Sequence, residues 1–218
     1  MTPEAFKEIC SELPDHVLGV WYPALVDAAK AFDINTTSRL SMWLAQLCHE
    51  SRCFTQLTEN MNYSSKRLAE VWPGRFAANP SAPMKERLPN ATAEFIGNRP
   101  ELIANNIYSN RYGNGAPNTG DGWRYRGHYP CMLTFRSAYE ACNVELGIPD
   151  IEAPDLLLND TAGMAMVSGW FVSWKRLNAV ADLGNFRQYC TVWNGGDIGF
   201  VDRVEWHNKV VKALSTHG

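Results

Sequence analysis

Long apolar runs, a charge surplus of either sign, closely paired cysteines and strand-like alternation are all scarce in this sequence. Each scarcity closes off a class of protein. No stretch approaches the roughly 20 apolar residues that a membrane-crossing helix needs, so an integral membrane protein is not expected. Lys and Arg total 20 against 23 Asp and Glu, a formal net charge of -3. That balance gives nucleic acid no electrostatic reason to bind. The start, Met1-Thr2-Pro3-Glu4-Ala5-Phe6-Lys7-Glu8-Ile9-Cys10, lacks the basic residues and apolar stretch of a secretion signal. Synthesis and initial residence in the cytoplasm are the expectation. The six cysteines contain no C-x-x-C pair, so neither a zinc ribbon nor a thioredoxin-like centre is suggested. Scattered as they are, they read as reduced thiols in or near the core. Neither a metal nor another cofactor is expected. Repeats and low-complexity tracts are absent as well.

What remains is a chain of 218 residues with ordinary globular composition, 45% hydrophobic and 20% charged. Helical periodicity dominates. Phe6, Ile9, Cys10 and Leu13 recur at helical spacing, and Leu25, Val26, Ala29 and Phe32 do so after Pro23. Asn35-Thr36-Thr37-Ser38 offers N-caps for a helix burying Leu40, Trp43, Leu44 and Leu47. A shorter helix spans Ser64 to Trp72 and stops at Pro73-Gly74. Prolines then crowd the stretch from Pro73 to Pro100, which reads as a smaller, irregular lobe. Helices resume at Glu101–Asn110, Thr161–Trp174 and Phe200–Leu214. Cys131-Met132-Leu133-Thr134 is the best strand candidate. The fold class is mainly α, with one domain across residues 1–218 and its smaller lobe at about 73–100.

Residues 111–127 carry five glycines among Tyr112, Trp123, Arg124, Tyr125 and Arg126. A long glycine-rich segment of this kind suits a functional loop that brings backbone close to a ligand.

Two carboxylates could carry chemistry. Glu50 lies seven residues after Trp43 and three after Leu47, on the rim of an apolar stripe. Burial favours the protonated form of a carboxyl, as an acid catalyst requires. By spacing alone, the favoured reading of Glu50 is a helix-end residue that pairs with Arg52 or turns to solvent. Glu59 follows nine residues later, so both can serve one cleft only if the helix ends between them. Phe54-Thr55-Gln56-Leu57-Thr58 permits that. Glycan hydrolysis with inversion needs such a pair, one protonated and one ionised, with room for a water.

Other chemistries are less well supplied. His49-Glu50-Ser51-Arg52-Cys53 approximates the zinc-protease H-E-x-x-H, but Cys53 stands in place of the second histidine. His128 or His207 could complete a zinc set for an amidase or peptidase. A cysteine peptidase would need a thiol activated by histidine, and no local signature links them.

Taken together, Leu44-Ala45-Gln46-Leu47-Cys48-His49-Glu50-Ser51 resembles the L-A-Q-x-x-H-E-[ST] segment of glycoside hydrolase family 19, which holds chitinases and phage endolysins. Glu59-Asn60-Met61-Asn62-Tyr63-Ser64, Arg67-Leu68 and Trp72-Pro73-Gly74-Arg75-Phe76 resemble the endolysin branch. So do Asn106 to Gly115, Gly120 to Gly127, Asn194-Gly195-Gly196 and Asp202-Arg203. The resemblance runs from about Trp21 onward. It implies a lysozyme-like, two-lobed helical fold around a glycan cleft, with Glu50 as general acid, Glu59 as general base and Thr134 holding the attacking water. Asn194 and Arg203 match residues that bind sugar or steady the second carboxylate. His49, Tyr63, Ser64, Trp123 and Arg126 complete the expected substrate contacts.

The implied activity is hydrolysis of β-1,4 bonds in peptidoglycan glycan strands, by a monomer that a holin-type membrane partner releases from the cytoplasm to the periplasmic wall. Chitin is the alternative substrate, and a glycan-binding homologue with weakened catalysis is the alternative class. The latter arises because the family's arginine, glycine and glutamine are replaced here by His128, Tyr129 and Met132. Those changes are expected to narrow or alter the groove.

Overall fold

The computed structural model describes residues 1–147 and 153–217. Its regular structure is almost wholly helical, as the periodicity predicts. In chain order the helices are α1 (Pro3–Ile9), α2 (Asp15–Ala31), α3 (Thr37–Ser51), α4 (Ser65–Val71), α5 (Pro73–Phe76), α6 (Ala91–Ile96) and α7 (Pro100–Ile107). They continue with α8 (Asp121–Arg124), α9 (Arg136–Leu146), α10 (Thr161–Trp174), α11 (Leu177–Asp182), α12 (Phe186–Asn194) and α13 (Phe200–Thr216). The strand expected at Cys131–Thr134 reduces to an isolated antiparallel bridge between His128 and Leu133, beside another between Thr58 and His128.

The chain divides into two compact units. One comprises Met1–Thr58, Gly127–Leu133 and Glu140–Gly218, the other Glu59–Arg126 and Thr134–Tyr139.

In the first unit α10 packs on α2 and α13 on α3. Thr36 caps α3, its hydroxyl oxygen accepting from Arg39 N. Trp43 is fully buried, and its indole N–H donates to the Ser168 carbonyl at 3.1 Å. Pro23 does not begin a helix as its sequence context suggested; it lies inside α2.

Gly169 explains how closely α10 approaches the end of α2. A Cβ there would fall 2.5 Å from a Phe32 ring carbon and 3.3 Å from the Ala28 carbonyl oxygen. Gly169→Ala is therefore expected to destabilise by about 1–3 kcal/mol through overpacking, overriding the roughly 1 kcal/mol that alanine gains in a helix interior. Urea unfolding checks the sign, and a stabilised variant would refute this packing.

The cysteines depart from the sequence expectation in one respect. Cys48, Cys131, Cys142 and Cys190 are buried thiols, but Cys10 and Cys53 form a disulfide. Periodicity shows that Cys10 and Cys48 face a core; it cannot show that the turn after α3 swings Cys53 back to the end of α1. That turn is abrupt. Arg52, Cys53 and Phe54 all take positive φ, at 47°, 52° and 65°. Ser51 secures it by donating to the Leu47 carbonyl and accepting from Phe54 N.

The second unit has its own core of Met61, Leu68, Phe76, Ala93, Ile96, Ile103, Ala104 and Ile107. Tyr63, Trp72, Tyr108 and Trp123 pack against it. The proline-rich stretch is more regular than expected, holding α5, a 3-10 turn at Met84–Glu86 and α6. Pro73 does not merely stop α4. It occupies the first turn of α5, where its missing N–H costs no hydrogen bond.

Candidate functional site

Glu50 sits on the last turn of α3, one helical turn after Gln46. Residues four apart share a helix face, and this pair grips one cation. Arg203, only 2% exposed on α13, donates from Nη2 to Glu50 Oε1 at 2.5 Å and from Nη1 to Gln46 Oε1. Its Nε reaches the Ile198 carbonyl at 3.4 Å. Gln46 is fully buried and spends its amide N–H on Cys190 Sγ at 3.1 Å. The Glu50 side chain keeps 18% of its surface exposed while its guanidinium partner keeps 3%. The result is a carboxyl with one oxygen held and its other edge toward solvent.

Sequence matching set Arg203 against sugar or the second carboxylate, whereas the structure sets it against the first. Neighbouring His49 joins the same face. Its Nδ1 pairs with Asp202, and its ring lies where a Cβ on Gly199 would come within 2.7 Å. Gly199, at φ 73°, is the N-cap of α13 and lets the two approach.

Glu59 opens the second unit. The helix that carries Glu50 ends at Ser51, so the two carboxylates do not share a helix. Both Glu59 oxygens accept from the hydroxyl of Tyr108, at 2.7 and 2.8 Å. Burial first, then the Glu59 charge and this hydrogen bond, push the Tyr108 phenol far above its ordinary pKa, so it remains a donor. Tyr63 lies close enough that its phenol is also raised, by burial and then by the Glu59 charge. Its ring meets Trp72 edge-on at 5.1 Å. Tyr108 was not singled out from the sequence. Its only signal there was membership of the block from Asn106 to Gly115.

The glycine-rich segment is pinned rather than slack. Asp121, 4% exposed, accepts from Gly115 N at 2.8 Å and from Arg136 Nη2 at 2.7 Å. Asn114 donates to the Tyr108 carbonyl at 3.0 Å and accepts from Arg136 N at 2.9 Å. Thr134 is half-buried just before α9, in the same unit as Glu59.

Arg126 and Ser64, two of the other expected contacts, also make hydrogen bonds within the fold. Arg126 is 6% exposed, with its guanidinium 3.9 Å from the Trp123 ring centroid and Nη1 on the Trp123 carbonyl. Ser64 is the N-cap of α4, its hydroxyl oxygen accepting from Arg67 N at 3.2 Å. Asn194 ends α12 in an exposed position before Gly195, which takes φ 76°.

The unusual residues at 128 and 129 are buried, at 0% and 3% exposure. His128 Nε2 lies 3.0 Å from Asp155 Oδ1, and the Tyr129 hydroxyl donates to the Pro154 carbonyl at 3.1 Å. Their bulk therefore goes into packing rather than into a groove. Tyr129 nonetheless keeps φ at 64°, the left-handed conformation that favours the glycine it replaces.

A zinc site built on His49, Glu50 and Cys53 is disfavoured, because Cys53 is consumed by the disulfide. The three-sulfur group Cys10, Cys48 and Cys53 retains a single thiol, Cys48, which burial pushes up to about 12. A neutral buried thiol is a poor metal ligand.

No protein-family model matches the chain. The chain is 34% identical over 199 residues to a glycosyl hydrolase family 19 domain-containing protein of Haemophilus influenzae, covering 91% of this chain and 90% of that protein. Among solved structures it is similar to chitinase C from Streptomyces griseus HUT6037, with a TM-score of 0.60 at 16% identity, over 98% of this chain and 76% of the other. A bacterial family 19 chitinase gives a TM-score of 0.59 at 16% identity, over 98% and 94%. At that identity the solved structures speak for the fold.

Proposed function

Because the chain belongs to glycosyl hydrolase family 19, we propose that this glycoside hydrolase cuts β-1,4 bonds in the glycan strands of peptidoglycan, by inversion. The observation that carries the reading is the anchored carboxyl of Glu50, held at one oxygen by a buried arginine and open at the other. Arg203 occupies Oε1, so the proton for the leaving sugar oxygen is assigned to Oε2. Once that proton has moved, the guanidinium is already in place against the resulting carboxylate and needs no rearrangement. Glu59 takes the complementary part. It accepts a proton from the water that attacks the anomeric carbon, and Thr134 helps to hold that water. His49, Tyr63, Trp123 and Asn194 supply contacts along the sugar chain, and Ser64 and Arg126 shape the backbone that presents them.

The runs Glu59 to Phe76 and Gly120 to Gly127 support peptidoglycan over chitin, since they resemble the endolysin branch. In this reading the chain acts as a monomer in bacterial lysis, released to the periplasmic wall by a holin-type partner. The Cys10–Cys53 bridge supports that destination, because disulfides persist in oxidising compartments.

The test is digestion of purified sacculi beside chitin oligomers, with products followed by mass spectrometry and the first-formed anomer by NMR. Muropeptide release with an α-anomer is expected. Release from chitin alone would overturn the substrate, and a β-anomer would overturn inversion.

A further inference from the structure

Tyr108 contacts both oxygens of one carboxylate, yet no family motif or expected contact gave it a role. Three features set its position. Its ring lies edge-on to Phe135 with centroids 5.2 Å apart, and it packs against the core of the second unit. Its carbonyl is held by Asn114. Its backbone N–H closes the end of α7 on the Ala104 carbonyl at 3.0 Å. The phenol is thus fixed from the ring side and from both backbone polar groups, and only then meets Glu59. A hydroxyl about equally far from two carboxylate oxygens constrains the plane of that carboxylate, which a point contact to one oxygen would not.

We infer that Tyr108 is a positioning residue for hydrolysis: its buried O–H holds the Glu59 carboxylate in the orientation from which it draws a proton from water. This rests on Glu59 being the base. The phenol itself transfers no proton. Its contribution is to remove freedom from a glutamate side chain with three rotatable bonds, and misorientation at a reacting centre costs rate steeply. Tyr63, the other phenol near Glu59, packs on Trp72 instead. Tyr108 alone among the two has a hydroxyl within hydrogen-bond distance of both oxygens.

Tyr108→Phe removes only the oxygen and keeps the ring. Loss of one hydrogen bond to a charged group corresponds to about ten- to a hundredfold in rate. The expected result is that fall in kcat, with KM within about twofold of wild type and unchanged far-UV circular dichroism. Exchange of Tyr108 for 3-fluorotyrosine, which retains the O–H and nearly the native shape, is expected to hold kcat within about threefold. In a Glu59→Gln background, Tyr108→Phe is expected to lower the residual rate no further, since the base it positions is already gone.

Wild-type kcat in Tyr108→Phe, while Glu59→Gln is inactive, would overturn the positioning role and leave the base assignment standing. Wild-type kcat in Glu59→Gln would instead overturn the base assignment, and this inference with it. If the phenylalanine variant does not fold, 4-fluorophenylalanine at position 108, which fills the hydroxyl's place without an O–H, decides: a fall in kcat of about ten- to a hundredfold with intact fold supports the role, and wild-type kcat overturns it.

Discussion

Glu50→Gln is expected to lower kcat on sacculi by about a thousandfold, within the 10²–10⁴ range of a lost general acid, while KM changes little. Glutamine is the informative replacement because its amide oxygen can still accept from Arg203 Nη2. The fold should therefore survive, with a melting temperature close to that of wild type. Glu50→Ala is less clean. It would strand a guanidinium that is 3% exposed, and removing one partner of a buried pair costs about 3–5 kcal/mol. The two variants together separate chemistry from stability. Residual turnover in Glu50→Gln near the wild-type rate would remove this residue as the acid.

Loss of the Cys10–Cys53 bond is expected to cost stability heavily. The bond closes a sequence separation of 43 residues, for which loop-closure entropy in the unfolded chain gives about 4 kcal/mol. At about 2–4 °C per kcal/mol for a chain of this size, the melting temperature should fall by roughly 10 °C. The choice of variant matters. Cys48 Sγ lies 3.8 Å from Cys53 Sγ and 4.0 Å from Cys10 Sγ, so a single substitution leaves two thiols able to pair anew. Cys10→Ala with Cys53→Ala avoids that rescue. Thiol titration of unfolded, unreduced wild-type protein should count four, from Cys48, Cys131, Cys142 and Cys190. A count of six would refute the bond.

Much of the fold was legible because helix formation here is local. Thr161–Trp174 emerges with the bounds its apolar spacing predicts, and Thr36, one of the expected N-cap candidates, caps α3. The proline-rich stretch misled because proline in a first helical turn looks, in sequence, like proline that ends a helix. Pro73 and Pro100 both begin one.

At the site, motif matching pointed to Glu50, Glu59 and Arg203, but not to the pairing of Arg203 with Glu50 or of Tyr108 with Glu59. Gln46 could be seen as one turn from Glu50, but no periodicity reveals that a cation 153 residues downstream lies against both. Tyr108 is 49 residues from Glu59. Tertiary pairings of that span follow from how helices dock, and side-chain spacing along one helix does not encode docking. His128 and Tyr129 show the same limit from the other side. As substitutions they suggested an altered groove, and only their burial against Asp155 and Pro154 assigns their bulk to packing.

The long span from Glu50 to Arg203 also has a bearing on synthesis. During translation the glutamate leaves the ribosome well before its counter-charge does, and until α13 emerges and docks on α3 the nascent chain has nothing to aim that carboxyl. A polypeptide abandoned before Phe200 therefore carries Glu50 without the arginine that holds it.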